Sequence, residues 1–91
     1  MAILNTNPYY FTDEDKPNYS VARATALEIM GEARRYDEYI CVNGVNSYYI
    51  EGSKHYKLSG QPISRNDMLV ALKEALVDGK TIRVDALVWS I

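Results

Sequence analysis

Cysteine and histidine each occur once in these 91 residues, phenylalanine and tryptophan also once. A lone Cys41 excludes an intramolecular disulfide and points to a reducing compartment. A lone His55 means that any histidine-based dyad or metal site has to be assembled around that one ring. No apolar run approaches the ~18–20 residues that a membrane span requires, so no membrane association is expected. Met1 to Leu4 gives way at once to Asn5-Thr6-Asn7-Pro8, without the basic and long apolar regions of a leader, and the cytoplasm is the expected location. The five glycines, 31, 44, 52, 60 and 79, are isolated, so no Gly-rich phosphate loop is present. Twelve acidic and ten basic side chains leave a net charge of −2, and no overall field favours nucleic acid or an anionic surface.

What is present is a chain 47% apolar, in short runs suited to one core. At this length folding buries about 60–65% of the surface that the unfolded chain exposes, so residues 1–91 are expected to form a single domain, with 1–19 partly irregular. Tyr9-Tyr10-Phe11 reads as a strand; Ala2-Ile3-Leu4 is a weaker candidate. Ser20 suits a helix N-cap, and Ala22, Ala26, Ile29, Met30 and Ala33 follow at helical spacing, which predicts a helix over about 20–35. Gly31 within it costs roughly 1 kcal/mol relative to alanine and either permits close packing or marks an early end.

Tyr39 to Val42 is rich in β-formers and runs into Asn43-Gly44, a strong hairpin signal. A two-residue loop pairs Val42 with Val45 and Tyr39 with Tyr48. The return strand runs through Tyr48-Tyr49-Ile50, and Gly52 either bulges it or breaks it before Lys54 to Leu58. Ser64 is the N-cap of a second helix, with Asp67 as an acidic near-match to a capping box and Ile63 placed to pack on Met68. Its stripe is Met68, Leu69, Leu72, Ala75 and Leu76, and Asp78-Gly79 supplies a left-handed stop. From Thr81 apolar and polar residues alternate, until Leu87, Trp89 and Ile91 make the second face apolar too.

A shift of 42 positions lays Leu27, Glu32, Ala33, Ile40 and Val42 on Leu69, Glu74, Ala75, Ile82 and Val84, a helix running into a strand twice. The fold class is therefore α+β: an antiparallel sheet of four to five strands with two helices on one face. The order strand, helix, strand, strand, helix, strand is compatible with a split βαβ, ferredoxin-like arrangement. There the last strand lies at an edge, which suits poorly a strand apolar on both faces.

No catalytic residue, metal site or cofactor is expected. His55 reads as a strand histidine beside lysines, and Cys41 as core, with no helix N-terminus or basic neighbour to lower its pKa. Asp13-Glu14-Asp15 and Asp37-Glu38 lack the alternating ligands of a calcium loop and read as solvated tips. The unusual feature is eight tyrosines. They serve either cross-strand pairing on a partly solvated sheet or a binding surface, since tyrosine offers large, rigid, amphipathic contact area. The expected function is a small non-enzymatic module that binds another protein, of inhibitor or adaptor type, in one form blocking a nucleic-acid-handling enzyme. Its candidate contacts are Tyr9, Tyr10, Tyr48, Tyr49 and Tyr56, with Asp13, Glu14 and Asp15 as a charged rim. The alternative is a self-assembling structural or regulatory subunit, a homodimer formed through Leu87, Trp89 and Ile91.

Overall fold

The computed structural model describes Tyr9 and residues 19–85. In chain order these form α1 (Tyr19–Tyr36), β1 (Tyr39–Val42), β2 (Val45–Glu51), β3 (Lys54–Lys57), β4 (Pro62–Ile63), α2 (Arg65–Val77) and β5 (Ile82–Asp85). The strands make one antiparallel five-stranded sheet in the order β4-β3-β2-β1-β5, with Tyr9 bridging the far side of β5 at Ile82. This is an α+β fold. None of the described helices is long and apolar enough to cross a membrane.

Both helices bury the stripes that their 3.6-residue spacing defines. Ala22, Ala26, Ile29, Met30 and Ala33 of α1 meet Met68, Leu69, Leu72, Ala75 and Leu76 of α2 over Ile40, Ile50, Ile82 and Val84 of the sheet. Alternation then puts Tyr39 and Cys41 of β1, and Arg83 and Asp85 of β5, on the face turned away from the helices.

Each helix has a definite end. Ser64 caps α2, its hydroxyl accepting from the Asp67 backbone N–H at 2.9 Å. α2 closes through Gly79 at φ +80°, with the Lys80 N–H donating to the Ala75 carbonyl at 2.9 Å. α1 runs through Gly31 without a break and closes the same way on Asp37 at φ +55°, with the Glu38 N–H donating to the Ala33 carbonyl at 2.9 Å. A side chain added at Gly31 meets nothing within 4 Å, so this glycine serves neither close packing nor termination.

Asn43 and Gly44 both take positive φ, as a type I′ turn requires, and Val42 pairs with Val45. The Asn43 backbone N–H donates to the Thr81 carbonyl and its side-chain oxygen accepts from the Thr81 N–H, so the turn is pinned to the approach of β5.

The pairing departs from the simple hairpin one residue further on. Cys41 opposes Asn46 but Ile40 opposes Tyr48, leaving Ser47 as an extra residue, and Tyr39 therefore lies opposite Tyr49 rather than Tyr48. The bulge is supported locally: the Ser47 carbonyl accepts from the Leu58 N–H at 3.0 Å, and its hydroxyl donates to the Val45 carbonyl. Gly52-Ser53 is a turn rather than a bulge, so residues 46–58 hold two strands, Glu51 pairing with Lys54.

A split βαβ sheet would place the opening strand between the last strand and the hairpin. Here β5 lies directly against β1, and Tyr9 is on its other side, exchanging backbone hydrogen bonds with Ile82 at 2.7 and 2.8 Å. The last strand thus has partners on both sides at Ile82. Leu87, Trp89 and Ile91, whose pattern conflicts with a bare edge, lie outside the described residues.

Candidate functional site

The bulge at Ser47 decides which tyrosines share a face. Without it, strict alternation from the turn would carry Tyr48 to the side of Tyr39; the extra residue turns Tyr48 towards the helices and Tyr49 away from them. Tyr49 then pairs with Tyr56 on β3. The result is a row across three strands: Tyr39 and Tyr49 with ring centroids 5.6 Å apart, tilted at 51°, and Tyr49 and Tyr56 stacked at 5.0 Å and 22°. Such aromatic pairs contribute about 0.5–1.5 kcal/mol beyond their area burial. All three residues are partly exposed.

Carboxylates surround one end of the row. Asp37, Glu38 and Glu51 line, with Tyr39, Tyr49 and Leu58, a shallow hollow of about 360 Å³. The electrostatics carry the imprint of this crowding. The Glu38 carboxyl is pushed up, first by burial and then by the nearby negative charges of Asp85 and Glu32. The Tyr49 phenol is also pushed up, by loss of solvent around it, then by Glu51 and the adjacent Tyr56 and Tyr39, so it stays a neutral hydrogen-bonding group. Asp37 adds a conformational cost: a non-glycine residue with φ near +55° is uncommon, and it is tolerated best by Asn, Asp and His.

Of the sequence-predicted contacts, Tyr49 and Tyr56 come together on this face. Tyr48 and Tyr9 pack against the core instead. The Tyr9 hydroxyl donates to the Glu32 carboxylate, and burial, that hydrogen bond and the charges of Glu32 and Glu28 raise its pKa strongly. Tyr10, Asp13, Glu14 and Asp15 lie outside the described residues, as do Leu87, Trp89 and Ile91. Tyr39 and the acids Asp37, Glu38 and Glu51 join the site without having been expected there. The hairpin signal marks Tyr39 as a pairing residue, but its partner, Tyr49, depends on a bulge that has no glycine to mark it.

Cys41 is buried, not on the helix side but beneath the opposite face, its thiol donating to the Asn46 side-chain oxygen. Burial and then the charge of Asp85 raise its pKa and disfavour the thiolate, against the opposing effect of Arg83. Among the described residues no group of three or more His, Cys, Asp or Glu side chains is arranged to hold a metal. No family model, curated protein or solved structure matches this chain.

Proposed function

We infer that the protein is a small non-enzymatic binding module whose tyrosine row receives a positively charged segment of a protein partner. The observation that carries this reading is the juxtaposition of Tyr39, Tyr49 and Tyr56 with Asp37, Glu38 and Glu51 on the sheet face away from the helices. Stacked rings present rigid contact area with little side-chain entropy left to lose, and their faces attract guanidinium and ammonium groups by about 0.5–2 kcal/mol each. The carboxylates add steering and select against acidic surfaces. Basic nucleic-acid grooves of larger enzymes belong to the surfaces that fit, and against one of these the module acts as an inhibitor.

Affinity capture from a cell extract, run in parallel with wild type and a Tyr49→Ala/Tyr56→Ala variant, tests the reading. A protein retained by wild type, displaced by an arginine-rich peptide and lost from the variant is the expected result. Retention of the same proteins by both, or of none by either, overturns it.

A further inference from the structure

On the other side of the sheet, where the turn between β2 and β3 meets the two helices, positive charge converges without a matching carboxylate. Arg34 from the last turns of α1, His55 from β3 and Arg65 from the start of α2 line a cleft of about 190 Å³, together with Ser53, Gly31 and the apolar side chains of Leu27, Met30 and Ile50. None of the residues lining it is acidic, and neither arginine forms an ion pair with a described carboxylate. The two guanidinium groups and the imidazole come from three separate elements, so their proximity is a product of the fold and not of a local charge run. In a chain of net charge −2 this is the reverse of the general balance. The N-terminal end of α2 adds its backbone dipole to the same corner.

Gly31 contributes to the same cleft. It sits mid-helix at a cost of roughly 0.5–1 kcal/mol relative to alanine. A side chain there would meet no protein atom, so packing does not require the glycine. What its absent side chain does is leave the wall of the cleft open, so that a bound group can approach the α1 backbone. His55 is affected by the same surroundings: burial, then the charges of Arg65 and Arg34, lower its pKa, while a hydrogen bond to the Ser53 backbone works in the opposite direction. A second, larger hollow of about 480 Å³ shares Ser53, His55 and Arg65 and continues over Tyr56, Pro62 and Ile63, a partly apolar surface.

We propose that the cleft formed by Gly31, Arg34, Ser53, His55 and Arg65 binds a phosphate group, with the adjoining surface of Tyr56, Pro62 and Ile63 holding the organic part of a phosphate ester. Two guanidinium groups supply forked donors that match phosphate oxygens. The phosphate cleft itself contains none of the tyrosines and does not depend on the protein-binding reading, although the adjoining surface shares Tyr56 with the tyrosine row.

The test is an amide chemical-shift titration of the full chain with two probes, inorganic phosphate and adenosine monophosphate. Saturable shifts at Gly31, Ser53, His55 and Arg65 are expected with at least one of them. Tighter binding of adenosine monophosphate identifies an ester as the ligand class, and equal or tighter binding of inorganic phosphate identifies the free ion. Arg34→Ala/Arg65→Ala replaces two exposed side chains, leaves a dispersed spectrum and weakens binding roughly tenfold or more, as expected for lost charge-assisted contacts. Lys57→Ala, an exposed charge outside the cleft, leaves binding unchanged. Gly31→Leu adds bulk at the cleft wall without altering charge and weakens binding. Non-saturating shifts with both probes, wild-type affinity in the double arginine variant, or wild-type affinity in Gly31→Leu each overturns the proposal.

Discussion

The two helix–strand units of this domain, α1 with β1 and α2 with β5, follow one plan and differ at the positions where the candidate sites lie. A shift of 42 residues carries Ala33 onto Ala75, and both carbonyls accept the same helix-closing hydrogen bond. It carries Cys41 onto Arg83, which lie opposite each other where β1 pairs with β5, so the two strands are related by an approximate two-fold axis through that pair. The second unit closes its helix on Gly79, the residue best suited to positive φ, whereas the first uses Asp37 at the equivalent place. The second has Lys73 in mid-helix; the first has Gly31. Each departure makes the first unit locally less stable, and each lines a hollow: Asp37 the acidic one beside the tyrosines, Gly31 the cationic one beside His55. Local stability is given up at functional sites in this way when a side chain, or the lack of one, is needed for contact.

Removing the shared core is the largest way to break the comparison. Ile40 and Ile82 are equivalent under the shift and both fully buried, so Ile40→Ala and Ile82→Ala should each cost about 2–5 kcal/mol by urea denaturation. Similar costs are expected; a small loss at one site alone would show that the core is not shared evenly. The next effect concerns the helix stops. Gly79→Ala puts a Cβ into the left-handed region and should cost about 1–2 kcal/mol. Asp37→Gly should do the opposite, stabilising by about 0.5 kcal/mol while weakening capture of a basic partner. A gain in stability with undiminished capture would remove Asp37 from the site. Gly31→Ala is smaller in consequence but as definite in sign: with open space at the added methyl group it should stabilise by about 0.5–1 kcal/mol. A fall in thermal midpoint would mean that the helix around residue 31 is packed differently.

The parts of the fold carried by local physics were legible in the chain. Every residue of the two predicted helical stripes is buried, and Ser64, Asp78-Gly79 and Asn43-Gly44 act as cap, stop and turn. Less legible was the partner of the last strand, because the pairing of Ile82 with Val42 joins residues forty apart and leaves no mark in either neighbourhood. The bulge at Ser47 was hidden for a different reason. It contains no glycine and costs the hairpin only one ladder position, yet it exchanges Tyr48 for Tyr49 on the tyrosine face. Two of the tyrosines expected to bind, Tyr9 and Tyr48, pack on the core, and composition alone cannot sort these from Tyr49 and Tyr56.

The smallest expected effect probes the cationic corner through pH. The folded-state pKa of His55 lies below its ordinary value, first because the ring is partly buried and then because Arg65 and Arg34 face it. Above the ordinary histidine range the ring is neutral in both folded and unfolded chains and contributes nothing to pH dependence. As pH falls through that range the unfolded chain takes up a proton that the folded one still refuses, so stability drops, and the loss is complete below the folded pKa. His55→Gln should therefore remove part of the decline in urea midpoint between pH 7.5 and 5. Arg34→Ala/Arg65→Ala should leave the histidine in place and reduce the same decline, since two of the charges that oppose protonation are gone. An unchanged decline in the arginine variant would separate His55 from the two guanidinium groups electrostatically, and the corner would then be three independent groups rather than one site.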